Sequence, residues 1–468
     1  MGTPEPAARA LPPRMLAAVA WGTLLNPLNS SMIAVALVPI QGAFRVSVAD
    51  ATWLISGFYL AGAVGQPLMG RLADQFGPRR VFVGGLALAG LTGAVAPFAP
   101  SIGWLAALRV LQAIGTAGAF PAGMAIFRTR VGGAARPPAG ALAAVSVAAN
   151  VSAAVGPTLG GLLVEFAGWP AIFLINLPAA VLGIVLALRW LPADRPTGPG
   201  AGSVRAVLGL IDLPGVALFS VAIGGLLAFL LSLSGGPRWV LLPLAPAAAA
   251  ALVWHELRTP EPFLDVRMLA PGRGLSSVYA QFLAVNLVFY SIFFGIPLWL
   301  EEVRGAGPGQ AGLIVTPFAA LGVLATVVAA QLIGRRGPRP VLALGAAVLC
   351  LGVVLLTAVG PATPLPAVVV VVAVLGLPNG LLNLGLQALL FQAAGAAEMG
   401  AASGLFQTCR YVGSVLSTSL LGVVFAGGVT SAGLHAMALV LAAISAALLL
   451  VSVLRRAARG PGRGAAAA

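Results

Sequence analysis

A chain of 468 residues, 59% hydrophobic and only 8% charged, with a mean hydropathy of +1.02, is not a soluble globule. Soluble domains carry about 25% charged residues, so the charged shell here is too thin to cover the apolar surface, and a soluble enzyme, a secreted disulfide scaffold and a disordered chain are excluded. The net charge of +14 does not point to nucleic acid, because the basic residues stand in short runs between apolar stretches.

The first 15 residues form a polar tail that runs directly into an apolar stretch too long for the core of a cleavable signal. About 20 apolar residues cross a bilayer, and by that measure six spans are predicted near 16–40, 52–70, 81–99, 103–127, 140–164 and 169–191. A Gly- and Pro-rich linker from Pro192 to Arg205 precedes two more, near 211–234 and 239–255, the second interrupted by Pro243 and Pro246. A charged segment from His255 to Arg273 leads to six further spans near 275–300, 310–333, 339–360, 365–392, 400–427 and 432–454, and then to a tail over 455–468. The expected architecture is all-α and integral to a membrane, with about fourteen transmembrane helices. One six-helix bundle covers 16–191, a linker with an inserted helix pair covers 192–274, and a second six-helix bundle covers 275–454.

All 26 basic residues are Arg. With both termini cytoplasmic, twenty-one of them fall inside and only Arg45, Arg238 and Arg304 outside, the skew expected of a multi-pass protein of the cell membrane. Arg109 and Arg410 lie within spans. Trp53, Trp104, Trp169, Trp190, Trp239 and Trp299 fall near span ends, where interfacial anchors are expected. Cys350 and Cys409 sit in apolar segments and His255 and His435 are isolated, so no disulfide framework, metal site or cofactor is expected. A membrane-embedded enzyme would need clustered His, Asp, Glu or Cys near one face, and the sequence offers only scattered ones.

Gly77-Pro78-Arg79-Arg80-Val81 recurs as Gly337-Pro338-Arg339-Pro340-Val341, and at the same shift of 260 Gly140-Ala141-Leu142 matches Gly400-Ala401-Ala402. A duplication places a cavity between two bundles. The loop after the second span, Gly70-Arg71-Leu72-Ala73-Asp74-Gln75-Phe76-Gly77-Pro78-Arg79-Arg80, holds glycines that permit close helix approach. Asp74 can pair with a neighbouring Arg and accept N–H groups at a helix start, so the loop reads as a latch. This string resembles the loop signature of the major facilitator superfamily. Gly156-Pro157-Thr158-Leu159-Gly160-Gly161 in the fifth span resembles the antiporter motif of its drug-exporting members, and Arg109-Val110-Leu111-Gln112-Ala113-Ile114-Gly115 its conserved-arginine motif. Trp169 to Pro178 and Gly404 to Arg410 are similar to segments of the fourteen-span drug:proton antiporters. The resemblance implies export of small molecules driven by protons.

The same family carries Asp in its first span where this chain has Asn29, and none of the twelve acidic residues falls near the middle of a predicted span. Proton coupling is therefore implied by the resemblance alone. A charge at mid-bilayer costs about 2.5–3.5 kcal/mol, so Arg109 and Arg410 need partners or a purpose. As a group, Asn29, Arg109, Gln112, Asn150, Asn286, Tyr290, Gln407 and Arg410 are the expected substrate site; Gly70, Asp74, Gly77, Arg79, Arg80, Gly156, Pro157, Gly160 and Gly161 are the expected gating elements. With arginine and no carboxylate, such a cavity suits a neutral or anionic amphipathic substrate. The expected partners are that substrate, protons and the bilayer, with the protein a monomer. The alternative is a uniporter, or uptake of a neutral or anionic metabolite without proton antiport.

Overall fold

The computed structural model describes residues 11–130, 139–194, 212–232, 238–260, 262–264, 266–269, 274–393 and 399–457. Among them there are helices and no strands. The first half comprises α1 (Pro13–Met32), α2 (Leu37–Phe44), α3 (Val48–Phe76), α4 (Pro78–Val95), α5 (Ile102–Ala117), α6 (Ala119–Arg130), α7 (Ala139–Ala167), α8 (Ala171–Leu174) and α9 (Asn176–Trp190). Then come α10 (Leu213–Ser232) and α11 (Leu241–Arg258). The second half comprises α12 (Leu275–Glu302), α13 (Pro308–Arg336), α14 (Pro338–Leu356), α15 (Leu365–Ala393), α16 (Met399–Val424) and α17 (Ser431–Ala457).

Helices occupy every predicted span, but their polarity divides them. Eleven are long and apolar enough to cross a membrane, or up to twelve if α1 and α2, bent by 64° across a single 3-10 turn, form one span. The expected fourteen thus includes two helices that fall short of that measure. The last turn of α11 is His255-Glu256-Leu257-Arg258, and α16 carries Gln407, Arg410 and a run of Ser and Thr. Leu439, Val370, Leu324 and Leu450 are among the many large apolar side chains left exposed on the outer helix faces, as lipid contact requires. Hydroxyl groups within the helices, such as Thr92, Thr326 and Ser452, return to carbonyls of the preceding turn, the partner that a water-free surrounding leaves them. Trp299 departs from the anchoring expectation: it is fully buried and donates its indole N–H to Ser431 Oγ at 3.1 Å.

Helix bounds recur at an offset of 260. Val48–Phe76 answers to Pro308–Arg336, and the starts at Pro78, Ala139 and Ala171 answer to Pro338, Met399 and Ser431. The packing repeats with them: α1 lies on α7 as α12 on α16, α3 on α5 as α13 on α15, and α4 on α9 as α14 on α17. The recurring Gly-Pro-Arg string has a local cause. Gly77 and Gly337 adopt φ of 99° and 76°, which glycine reaches without strain, and the following Pro opens the next helix, where its missing N–H has no helical partner to lose. The two halves meet along two helix pairs, α7 with α13 and α3 with α16, and α10 leans on α3 and α16.

Candidate functional site: two seams, an aromatic centre and a buried arginine

The glycines of α7 face two neighbours. A methyl group built on Gly156 would strike Ser31, and one on Gly160 would strike Met32, so both positions let α7 close on α1 within its own half. Gly161 faces the other half, where a methyl would run into the Pro308 carbonyl of α13. Gly312 of α13 reciprocates against the carbonyl of Pro157. Between these contacts the hydroxyls of Thr158 and Thr316 hydrogen-bond each other. Thr316 donates to the Gly312 carbonyl at 2.9 Å, which leaves Thr158 as donor across the seam. The second seam has a similar clasp, with Ser56 Oγ of α3 lying 2.5 Å from Thr418 Oγ1 of α16. Both clasps lie toward the face away from the chain termini, near the start of α3 and α13 and the end of α7 and α16.

Deeper along the second seam, aromatic rings from both halves meet. Tyr59 of α3 lies 5.1 Å from Tyr290 and 6.5 Å from Phe294, both of α12, and 5.9 Å from Tyr411 of α16. A methyl on Gly62 would stand 3.4 Å from the Tyr411 ring, so the glycine brings α3 up to it. Arg410 sits against this cluster, 5.2 Å from the Tyr411 ring centroid, and its Nε has no hydrogen-bond partner among the described residues. Gln407 is half-buried one turn earlier. Asn286 is buried one turn below Tyr290, its side chain returned to the Phe282 carbonyl at 2.8 Å, where Gly413 lets α16 press against it.

Arg109 lies elsewhere, within the first half. Only 2% exposed, it donates to Gln112 Oε1 at 2.8 Å, to the Asn29 carbonyl at 3.3 Å and to the Leu54 carbonyl at 3.4 Å, so it ties α5 to α1 and α3. Its guanidinium stands 4.2 Å over the Phe58 ring, which supplies a cation–π partner in place of a carboxylate. The side chain of Asn29 is committed to Asn176 of α9: each amide donates to the other, at 2.5 and 2.9 Å. The eight expected cavity residues therefore occupy distinct surroundings. Asn29, Arg109 and Gln112 form a network inside the first half, Asn286 packs between α12 and α16, and Tyr290, Gln407 and Arg410 stand at or beside the aromatic centre. The side chain of Asn150 lies outside the described residues.

At the termini-side loop, the helix start of α4 is capped by a residue from far along the chain. Asp194 accepts the backbone N–H groups of Arg79 and Arg80, both at 2.9 Å, while Arg79 donates to the Leu188 carbonyl of α9. Gly77 leaves room for that carboxylate, and Gly70 faces Pro121 of α6. The side chain of Asp74 lies outside the described residues. Asp194→Ala is expected to lower unfolding stability by roughly 1 kcal/mol, and Asp194→Asn by less because one oxygen still accepts. Thermal unfolding of the purified variants measures it.

Residue spacing did not single out Tyr59, Phe294, Asn176 or Asp194. Asn176 stands in a segment cited above, and Asp194 in the Gly- and Pro-rich linker; neither carries a periodic signal that names its partner.

The family model of the Major Facilitator Superfamily matches residues 19–418. A relative from Bacillus subtilis, described as the uncharacterized MFS-type transporter YwoD, is 38% identical over 94% of this chain and 96% of its own. The methylenomycin A resistance protein of Streptomyces coelicolor is 28% identical over 93% of this chain and 90% of its own. The tetracenomycin C resistance and export protein of Streptomyces glaucescens is 28% identical over 91% and 78%. Among solved structures, a POT family transporter in complex with 5-aminolevulinic acid superposes with a TM-score of 0.67 at 13% identity, covering 94% of this chain and 96% of that one. A mutant of the nucleoside transporter NupG does so with 0.66 at 12%, covering 94% and 99%. At such identities these two likenesses concern the fold alone.

Proposed function

Because the chain belongs to the Major Facilitator Superfamily, we propose that this multi-pass membrane transporter exports small amphipathic molecules by alternating access, driven by protons moving inward. In this reading fourteen helices cross the cell membrane as two six-helix bundles with α10 and α11 inserted between them, and both termini are cytoplasmic. The observation that carries it is the pair of seams. Glycine-to-carbonyl contacts and hydroxyl clasps bring the halves together on the face away from the termini, which corresponds to the inward-facing half of a transport cycle. That two of the relatives are described as resistance proteins supports the direction of transport.

The charge at the aromatic centre is Arg410, with no carboxylate in contact with it among the described residues. A lipophilic cation entering there would meet repulsion in a low-dielectric site, so neutral or anionic substrates are favoured. In proteoliposomes with an imposed pH gradient, neutral and anionic amphiphiles are expected to move at least about tenfold faster than permanently charged cations, a preference of ~1.4 kcal/mol. A quaternary ammonium compound as the best substrate would overturn the specificity. Asn29, an amide engaged with Asn176, favours a second reading, gradient-independent flux; a rate that ignores the gradient would select it.

A further inference from the structure

Asp212, His255 and Glu256 converge on the termini-side corner of the α10–α11 pair, away from the seams and the aromatic centre. Asp212 stands just before α10. Its Oδ1 accepts the Gly215 N–H at 2.9 Å and lies 2.6 Å from His255 Nε2, and its Oδ2 accepts the Phe263 N–H at 3.2 Å. The segment after α11 is thereby pinned to α10, and the rings of Phe263 and Phe219 lie 5.6 Å apart. Glu256, just past the apolar stretch 239–255, points into this corner. It is 0% exposed, and neither carboxyl oxygen makes a well-formed hydrogen bond among the described residues, the backbone amides of Leu264 and Phe263 being weak partners. A methyl on Gly215 would touch both Asp212 Oδ2 and Glu256 Oε1, so the two carboxyl groups face one another across that glycine.

The charges around Glu256 do not neutralise it. Asp212 is of like sign, and His255 is engaged with Asp212. From the segment after α11, Arg267 directs its guanidinium to the Leu257 and Thr259 carbonyls at 2.9 and 3.3 Å. Arg258, on α11 itself, stacks 4.2 Å over Trp254. Helix α10 carries no titratable residue over 213–232, and Glu261 and Asp265 lie outside the described residues. No set of three His, Cys, Asp or Glu side chains suited to a metal occurs among the described residues, which leaves the proton as the ligand this corner fits.

We propose that Glu256 is a proton-binding site that holds its proton while the termini-side solution is acidic and releases it through the Asp212–His255 pair as pH rises, loosening the corner that fixes α10 to α11. His255 is the wet end of the path, its side chain 24% exposed against 3% for Asp212. Burial pushes Glu256 up to about 7; the Leu264 and Phe263 amides and His255 pull it down only in part, and the charge of Asp212 adds to the rise. For Asp212 burial also pushes upward, but the Gly215 N–H, His255 and the Phe263 N–H outweigh it and hold the carboxyl below its ordinary value. One acid of the pair is thus kept neutral and the other charged. A raised folded-state value means that the contribution of Glu256 to stability is complete below the ordinary carboxylate range and is lost as pH rises through about 7. Helix α10, which the corner holds at its first turn, packs farther along its length on α3 and α16, with Leu60 against Gly224, so the corner bears on the second seam only through that helix.

The test is infrared titration of the purified full-length protein in lipid nanodiscs between about pH 5 and about pH 8, a window above the ordinary Glu range. A protonated-carboxyl band disappearing near neutrality is expected in the wild type, absent in Glu256→Gln and retained in Glu301→Gln, which alters the other buried glutamate among the described residues, at the end of α12. His255→Gln, the second variant should Glu256→Gln fold poorly, is expected to move the midpoint upward, because the imidazole that pulls the Glu256 carboxyl down is gone. A band that survives Glu256→Gln, a wild type with no carboxyl titrating near neutrality, or an unmoved midpoint in His255→Gln would overturn the site. The titration involves no substrate and no imposed gradient, so its failure and the failure of proton-driven export are separate results; only the bearing of the site on transport rests on that reading.

Discussion

Gly161→Leu and Gly312→Leu are each expected to abolish transport while the chain still inserts and folds. Each glycine faces a backbone carbonyl of the opposite half, Pro308 for Gly161 and Pro157 for Gly312, and a backbone carbonyl cannot rotate out of the way as a side-chain tip can. Forcing a branched side chain into such a contact costs ~1–3 kcal/mol, all of it charged to the sealed state, because α7 and α13 separate when the seam opens. The balance between states then shifts by roughly five- to 150-fold. Gly84→Leu is the control, since nothing lies within 4 Å of a methyl at that position. Cysteines at Thr158 and Thr316 report the seam directly: they are expected to cross-link readily in the wild-type background and poorly beside Gly161→Leu. Normal transport by Gly161→Leu would remove the seam from the mechanism.

The second large effect concerns Arg109. Its guanidinium spans three acceptors on three helices and a ring face, with no carboxylate partner among the described residues, so it stands there as a buried charge without a counter-ion. Replacing a buried charge by an apolar group of similar length is often neutral for stability. Two of its acceptors, the Asn29 and Leu54 carbonyls, belong to helices with bonds of their own, and the chief orphan is Gln112 Oε1. Arg109→Met is therefore expected to keep unfolding stability within ~1 kcal/mol of wild type, while transport falls at least about tenfold, ~1.4 kcal/mol. Arg109→Lys is expected to fail as well, because a single ammonium cannot reach Gln112, Asn29 and Leu54 together. Stability and flux measured on the same preparations separate the two roles. Should Arg109→Met transport normally, the guanidinium only joins helices.

The helices and their order were legible because apolar stretches of fixed length need no knowledge of neighbours. The turn at Gly77-Pro78 was legible for a related reason: positive φ and a proline at a helix start are local requirements. What stayed hidden depends on how each helix is rotated about its axis. Asn29 looked like a cavity residue by its depth, yet it turns to Asn176, whose own place in a motif gave no hint of the pairing. Tyr59 lacked any motif, and its meeting with Tyr290 and Tyr411 arises only when the halves come together. Trp299 sits at a helix end like its exposed counterparts Trp104 and Trp239, but α17 covers it. Asp212 and Glu256 are forty-four positions apart; the helix pair between them was legible, but not that its ends bring the two carboxyl groups together.

The chemistry of the seams carries a consequence for the medium in which the protein works. Thr158 with Thr316, Ser56 with Thr418, and glycines against carbonyls are uncharged contacts, and none of them is an ion pair. Dissolved electrolyte screens charges over about 8–10 Å and leaves neutral dipoles at van der Waals distance untouched. In the proposed cycle the closure of this face is thus insulated from ionic strength, so its sealed contacts are expected to persist at high salt.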